Sequence, residues 1–417
     1  MAPTETPPAK PGRRARLRLL SAGYRDLLAV PGVGRMLVAS LVSKLPLAMI
    51  TLSLLLYLGP RYSYATGGLA MSCMAVGQGL SAPVRGRLMD RYPYRPILVG
   101  CLVLYLVALG ALTAVASARG PAPLVLVLAA VSGVTSPPVG IIMRTLWRVL
   151  VGERQLVTAM ALDAATSDVV HITSPALAAW LCLSLSGEVA FSVYGALTVV
   201  AVLLVLSLPN APLPTRRAGS GHWAGPLRSA ALRRLLVTHA AFSGMITAID
   251  VVISLLNVEQ GTTGYIGIQI GALSVGSIVG SLALGAFPGL LARGPKLSAL
   301  IGVFAAGVVL LAATSQLSPL AMTLACPLTG LAYGSTFGAL FTAGGDLAPE
   351  GNAAETQAWM GSLTQAGAAI GAWAAAEAGG LTALYVIPVI AVLSAVLTWN
   401  IRGPRSDRDL PAPTTTT

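Results

Sequence analysis

The sequence is short of charged residues. Only 10% of its 417 residues are Asp, Glu, Lys or Arg, against about 25% in a soluble domain, whereas 55% are hydrophobic. Histidine occurs three times and cysteine four times, and no Gly-Lys-Ser or Gly-Lys-Thr phosphate loop is present. These shortages argue against a soluble fold, a disulfide framework, a metal site and an ATP-driven pump, and no cofactor is expected. Scattered histidines also offer no nucleophile and base pair, so no enzyme is predicted.

Long apolar runs take the place of charge. A bilayer core needs about 20 apolar residues of helix, and twelve such runs can be marked. We therefore predict an all-α integral membrane protein with twelve transmembrane helices. The predicted spans are 35–57, 66–84, 97–117, 123–146, 157–183, 189–208, 235–256, 265–291, 297–315, 320–343, 358–379 and 382–401.

A hydrophilic stretch near the middle of the chain separates six spans from six, which predicts two six-helix repeats. The second, eighth and eleventh spans are rich in glycine. This pattern indicates either helices that slide along an interface between the repeats or ordinary close packing in lipid. The predicted divisions are a cytoplasmic tail and pre-helix (1–34), a first bundle (35–208), a cytoplasmic linker (209–234), a second bundle (235–401) and a cytoplasmic tail (402–417).

The 27 Lys and Arg residues are distributed unevenly. With the amino terminus inside, 24 fall in cytoplasmic segments or near the cytoplasmic ends of spans (Arg35 and Arg144), two fall in external loops and one, Lys44, lies within the first span. Because cationic loops stay in the cytoplasm, this predicts a multi-pass inner (plasma) membrane protein with both termini cytoplasmic. It also accounts for the net charge of +12 without a nucleic-acid partner. An excess of arginine over lysine, with abundant alanine and glycine, indicates a high-G+C bacterial genome.

One loop, between the second and third spans, carries a motif. Gly86, Leu88, Asp90, Arg91 and Arg95 stand at the spacing Gly-x-Leu-x-Asp-Arg with a further basic residue. This stretch resembles the signature loop of the major facilitator superfamily. The resemblance implies a twelve-helix transporter, similar to bacterial exporters of drugs or metabolites, in which the loop is a conformational latch between the halves. From the residues alone, a simple positive-inside anchor is the alternative.

The aspartate of this loop needs a partner at the same membrane edge, because a carboxylate is stabilised by the positive amino end of a helix. The eleventh span follows Asn352-Ala-Ala-Glu355, a sequence that predicts an N-cap with glutamate at the third helical position. A second-half copy of the loop, from Gly285 to Lys296, lacks the acid.

Few ionisable residues lie within the spans, where they are costly and therefore candidate sites. Lys44 and Asp168 are predicted at similar depth, and His171 is three residues from Asp168, on the same helical face. We expect these three to form a charge cluster that couples proton binding to the change of access. The alternative is a fixed ion pair between the first and fifth spans, with a satisfied interior histidine. Asp163 and Glu377 are expected to be solvated near the ends of their spans.

Four further residues are candidates for a substrate cavity: Asp250, Tyr333, Gln269 and Gln365. Two marks of proton-coupled antiporters are weak, however. The fourth span has no arginine in its external half, and Arg144 is expected to extend to the cytoplasmic surface. The fifth span has Ser174-Pro175 where the resemblance implies Gly-Pro.

The sequence therefore favours a secondary active transporter that exports a drug-like or secondary-metabolite solute in exchange for protons, as a monomer in the lipid bilayer. A mostly apolar interior suits an amphipathic solute. Proton-symport uptake of a small nutrient is the alternative within transport. A non-transporting membrane sensor or scaffold is the alternative from another class.

Overall fold

The computed structural model describes residues 23–151, 153–208, 225–286 and 297–399, so both predicted tails and most of the predicted linker lie outside the described residues. Within these ranges the secondary structure is helical, without a strand. A short helical segment at 23–29 precedes the bundle. The helices are α1 (Val33–Leu58), α2 (Tyr64–Arg91), α3 (Tyr94–Ser117), α4a (Ala122–Thr135), α4b (Val139–Leu150), α5 (Glu153–Trp180), α6 (Gly187–Leu206), α7 (Ala230–Glu259), α8 (Tyr265–Ala286), α9 (Leu297–Ser315), α10 (Pro319–Asp346), α11 (Ala353–Ala378) and α12 (Gly380–Thr398).

The predicted all-α membrane fold with twelve spans is confirmed. Nine helical stretches in the described part of the chain are long and apolar enough to cross a bilayer, with α4a and α4b counted as one span. The remaining three crossings are α2 and α11, whose glycine and polar residues lower their hydropathy, and α12. Large aliphatic side chains such as Val107 and Leu324 are exposed on the outside of the bundle, where lipid would cover them.

The helices form two six-helix halves, α1 to α6 and α7 to α12, each with its own apolar core. The halves meet mainly along two helix pairs, α2 with α11 and α5 with α8, with smaller contacts of α5 with α10 and of α4b with α11. These pairs correspond to one another when the first half is superposed on the second in chain order. We call the end of the bundle where α2 ends and α3 begins the motif end, and the opposite end the far end.

The fourth span is broken, although a single helix was predicted for 123–146. Pro137 and Pro138 lack backbone N–H groups, so the helical ladder cannot continue through them and α4a ends at Thr135. Inside a bilayer the freed carbonyl groups need a partner. Arg85 of α2 supplies it by donating from its guanidinium to the carbonyl oxygen of Ser136. Arg85 is therefore a buried structural residue rather than part of a cationic surface loop.

Glycines bring pairs of helices within each half into backbone contact. A Cβ atom at Gly276 of α8 would lie 2.1 Å from the carbonyl oxygen of Pro327, and one at Gly330 of α10 would lie 2.1 Å from that of Leu273. Similar glycines join α2 to α4a and α7 to α11: Gly77, Gly133, Gly367 and Gly371. These contacts lie within a half, so for these glycines ordinary close packing is the correct interpretation.

We predict that Gly276→Ala destabilises the protein by about 1–3 kcal/mol, because α8 and α10 must separate to admit the methyl group. Gly271 is the matched control on the same helix, since a Cβ there meets no atom within 4 Å. Gly271→Ala should leave stability unchanged or raise it, because alanine is the better helix former. Thermal unfolding in detergent measures both. Equal melting temperatures for the two variants would contradict the packing described here.

Candidate functional site

At the motif end, a carboxylate from the first half caps a helix of the second half. Asp90, at the end of α2, accepts hydrogen bonds from the backbone N–H groups of Ala354 (3.0 Å) and Glu355 (2.8 Å) in the first turn of α11. A negative charge at a helix amino terminus is stabilised by the unpaired N–H groups and the helix dipole. This is the partner that the sequence predicted for Asp90. Its part in any movement of the halves stays a prediction.

The predicted N-cap of α11 differs from the observed one. The side chain of Asn352 makes no cap hydrogen bond to the helix, and its amide donates instead to Glu355 Oε2 at 3.0 Å. Glu355 Oε1 accepts from Arg87 Nη2 at 2.7 Å, which adds an ion pair between the halves. Asp90 caps the helix from outside because Asn352 and Glu355 bind each other. Arg87 occupies a variable position of the motif, so the sequence pattern gave no signal for it.

The other motif residues have different surroundings. Gly86 allows α2 to approach α11, because a Cβ atom there would lie 2.7 Å from the Cβ of Ala358. Leu88 and Arg91 are exposed. Arg95 Nη2 donates to the carbonyl oxygen of Leu206 at 3.3 Å, a contact within the first half. Only Gly86 and Asp90 of the five predicted latch residues are described in contact with the second half.

The related helix pair, α5 with α8, uses the opposite chemistry. Gly285 lets α8 approach α5 closely, because a Cβ atom there would lie 2.5 Å from the Cβ of Ala161. Here hydroxyl groups donate to carbonyl oxygens at the end of α8. Thr158 bonds to Gly285 at 2.6 Å, and Tyr24 bonds to Leu282 at 2.7 Å. Burial raises the pKa of Tyr24 to about 12, so this phenol stays a donor. The acid-free second copy of the motif is thus tied by hydroxyls; its residues beyond Ala286 lie outside the described residues up to Leu297.

A third tie at the motif end joins α4b to α10. Arg148 Nη1 lies 2.8 Å from Asp346 Oδ1, and Arg148 Nη2 donates to the carbonyl oxygen of Thr342 at 2.6 Å. The guanidinium lies directly against Gly345, where any side chain would occupy its place.

The predicted cluster of Lys44, Asp168 and His171 does not form as one unit. Lys44 Nζ bonds instead to the Asp163 carboxylate at 2.8 Å and to Thr166 Oγ1 at 2.9 Å. Asp163 is 5% exposed rather than solvated, because α5 begins at Glu153, four residues before the predicted start. That shift moves every α5 residue about 6 Å deeper. The alternative was a fixed ion pair of Lys44 with Asp168 and an interior histidine; the structure instead pairs Lys44 with Asp163 and leaves the His171 side chain 64% exposed.

Arg144 also departs from its prediction. It does not extend to the surface but points inward, with Nε 4.0 Å from Asp163 Oδ2. Its guanidinium carbon lies 3.6 Å from the centroid of the Phe341 ring in α10, a cation–π contact between the halves.

A cavity of about 120 Å³ lies between α5 of the first half and α8 and α10 of the second. Asp168 accepts a hydrogen bond from Ser277 across this interface at 2.7 Å, and His171 Nε2 lies 3.9 Å from Asp250 Oδ2 of α7. The lining residues are Ala164, Ser167, Asp168, His171, Ser277, Tyr333, Gly334 and Phe337.

Of the four predicted cavity residues, only Tyr333 lines this cavity. Asp250 lies beside it, opposite His171. Gln269 is fully buried elsewhere, where its side chain bonds to Asn257 and to the carbonyl oxygen of Pro319. Gln365 is exposed on α11. Phe337, which the sequence analysis missed, follows Tyr333 by four residues, and that spacing on one helix face was an available signal.

Polar contacts between the halves are confined to one part of the bundle. Among the described residues, the hydrogen bonds and ion pairs that cross between halves extend from the motif end to His171 and Asp250, just past the middle. At the far end the polar contacts stay within one half, as with Arg61 and Glu188 in the first. The halves are therefore tied at the motif end.

Comparisons with known proteins place this geometry in context. The family model described as Major Facilitator Superfamily matches residues 36–372. The structure of the human organic anion transporter MFSD10 (TETRAN) aligns with a TM-score of 0.71 at 16% identity over 88% of this chain and 99% of that one. The E. coli fucose:proton symporter FucP aligns at 0.72, with 14% identity over 89% and 98%. A bacterial homologue of the iron transporter ferroportin, in an outward-facing state, aligns at 0.70, with 15% identity over 89% and 99%. A search of curated protein sequences finds no match.

We expect Asp90→Ala to loosen the first turn of α11, since loss of a capping side chain costs about 1 kcal/mol. Hydrogen–deuterium exchange of the peptide that contains Ala354 and Glu355 should become about fivefold faster. Asp26→Ala, which removes an exposed carboxylate in the segment before α1, is the control. Unchanged exchange in the Asp90 variant would show that the cap does not hold this turn.

We also expect Asp163→Asn to be more destabilising than Asp168→Asn, because it leaves Lys44 and Arg144 without their carboxylate. Removing one partner of a buried ion pair costs on the order of 3 kcal/mol. Melting temperatures in detergent compare the two variants. Adding Lys44→Met to Asp163→Asn should restore part of the loss. If Asp168→Asn is the less stable protein, the assignment of Asp163 as the structural partner fails.

Proposed function

The chain belongs to the major facilitator superfamily, and on that premise we propose that it exports a small organic compound in exchange for protons by alternating access. The observation that carries the proposal is the cavity between α5, α8 and α10, which both halves line. A site at the interface of two repeats is exposed to one side or the other as the halves rock. Polar contacts tie the halves at the motif end, and among the described residues none crosses at the far end. This favours the arrangement in which the motif end is closed.

We propose that the motif end faces the cytoplasm of a bacterial inner membrane, with both termini on that side. The support is the distribution of Lys and Arg: 24 of 27 are assigned to that side, and 22 remain when Arg85 and Arg144, which point into the bundle, are left out. In this orientation the polar ties between the halves lie at the cytoplasmic end, which favours an arrangement closed on that side. Asp90, Arg87 and Arg148 then act as cytoplasmic latches that must release before the cavity opens inward.

Asp168 is the proposed proton carrier. Its carboxylate accepts the hydroxyl of Ser277 from the other half, so its charge affects the interface directly. A hydrogen bond to a charged acceptor is roughly twice as strong as one to a neutral group. Protonation of Asp168 would weaken this tie and favour separation of α5 from α8. Asp163 is less suited to the role, because Lys44 and Ser40 hold its charge within one half.

The amphipathic class of solute is supported by the composition of the cavity lining. Besides Asp168 and His171, the residues that line the cavity are uncharged and mostly small or aromatic. Recognition of a sugar hydroxyl array or a multiply charged anion needs several polar or cationic contacts.

The test uses purified protein in liposomes loaded with a pH-sensitive dye. Ethidium, an amphipathic cation, is then added outside as the test solute. Its entry in exchange for outgoing protons should raise the pH inside the liposomes. Asp168→Asn should abolish this signal while the protein keeps its elution profile and melting temperature. Glu377→Gln, at an exposed carboxylate of α11, should behave as the unmodified protein.

The sign of the proton movement discriminates between the functions. Acidification of the interior on addition of a hexose or another nutrient would mean symport and uptake. Absence of any solute-dependent movement across a broad panel would favour a sensor or scaffold. A full signal from Asp168→Asn would remove this residue from the coupling mechanism.

A further inference from the structure

We infer that the cavity between α5, α8 and α10 binds the positively charged head group of its solute, an organic ammonium or guanidinium, between the Asp168 carboxylate and the rings of Tyr333 and Phe337. The inference rests on the proposed function, since it names the chemical class of the transported solute. Three separate observations carry it.

The first observation is the balance of charge around the cavity. Asp168 lines it and Asp250 lies beside it, whereas no Lys or Arg is among its described lining residues. The nearest cations are already engaged. Lys44 is held by the Asp163 carboxylate, and Arg144 lies between that carboxylate and Phe341. Within the lining, His171 faces Asp250. The Asp168 carboxylate therefore has no Lys or Arg of the lining beside it, and a cationic ligand would compensate its charge.

The second observation is a cation already bound on the same face of α10. Three aromatic rings contact one another in sequence along this face, at intervals of four residues: Tyr333, Phe337 and Phe341. We call them the aromatic ladder. The ring centroids are 6.2 Å apart between the first two and 5.1 Å apart between the last two. Arg144 places its guanidinium over the last ring. The chain thus uses one step of this ladder to hold a cation, while the other two steps line the cavity.

The third observation is the geometry of these two steps. The rings of Tyr333 and Phe337 form an edge-to-face pair inclined at 74°, so their planes meet in a corner rather than form one flat surface. Such corners of aromatic rings are how proteins recognise quaternary ammonium groups. Asp168 and the small side chain of Ala164 line the same cavity from α5.

The size of the cavity defines what part of the solute it takes. A volume of about 120 Å³ accommodates a few water-sized groups, which fits a substituted ammonium but not a whole drug-like molecule. The apolar remainder of an amphipathic solute would extend toward the far end, where the polar contacts stay within each half.

The test is binding to the purified full chain in detergent, measured by thermal shift and by displacement of ethidium. Choline is compared with its neutral isostere 3,3-dimethylbutan-1-ol and with the anion 3,3-dimethylbutyrate, which have similar shape. Choline should stabilise the protein and displace ethidium at a concentration at least tenfold lower than either of the other two. Displacement by the alcohol or the anion at equal concentration, or the absence of any effect of choline, would overturn the inference.

Variants assign the site. Asp168→Asn should weaken choline binding at least tenfold, and Tyr333→Leu should weaken it about fivefold because the ring face is lost. Tyr333→Phe keeps that face and should restore the binding lost in Tyr333→Leu, so this pair tests the ring even if Asp168→Asn folds poorly. Glu377→Gln should change nothing. Equal affinity in Tyr333→Leu and Tyr333→Phe, or unweakened binding in Asp168→Asn, would exclude this cavity.

The inference and the proposed function fail separately. If choline binds as described but no solute moves protons in liposomes, the cation site stands and the transport proposal falls. If neutral or anionic solutes drive proton exchange while choline does not bind, transport stands and the cation site falls.

Discussion

Lipid is the solvent for most of this chain, so its helices gain little free energy from apolar burial when they associate. Two other kinds of contact hold them together. Within each half, glycines allow backbone to touch backbone, as between α8 and α10. Between the halves, Gly86 and Gly285 also permit close approach, and the polar contacts are hydrogen bonds and ion pairs of individual side chains. The first kind is permanent because any separation leaves a void. The second kind can be broken one contact at a time, which is what rigid halves that move against each other require.

The two interfaces between the halves are related by the repeat but not by chemistry. At α2 and α11, a carboxylate accepts from N–H groups at the start of a helix. At α5 and α8, hydroxyls donate to carbonyl groups at the end of a helix. Both solutions satisfy unpaired backbone groups of a helix terminus. The second copy of the motif, at the end of α8, lacks the acidic residue. Hydroxyl groups of the first half nevertheless bond to α8 there.

The fold and the Asp90 contact were accessible from the sequence, because span length, the distribution of arginine and a motif at fixed spacing are local properties. The partner of Lys44 was not. The depth of a residue in the membrane depends on where its helix begins. Because α5 begins four residues before its predicted start, Asp163 rather than Asp168 lies level with Lys44. The inward direction of the Arg144 side chain was not predictable from the sequence, because the Pro137-Pro138 break lets α4b take its own direction. The four-residue spacing of the aromatic residues in α10 is visible in the sequence. Their position beside the α5 residues of the cavity and beside Arg144 is seen only in the structure.

The bond between Arg85 and Ser136 has a consequence for how the protein is made. The two residues are 51 positions apart, so α2 enters the membrane well before the carbonyl that receives its guanidinium exists. At about 5–20 residues per second, the interval is roughly 3–10 s. During that time the arginine must stay near water or near the insertion machinery, since lipid would leave its charge unsolvated. Synthesis of the broken fourth span then supplies the carbonyl group that receives it, before α5 and α6 complete the first half.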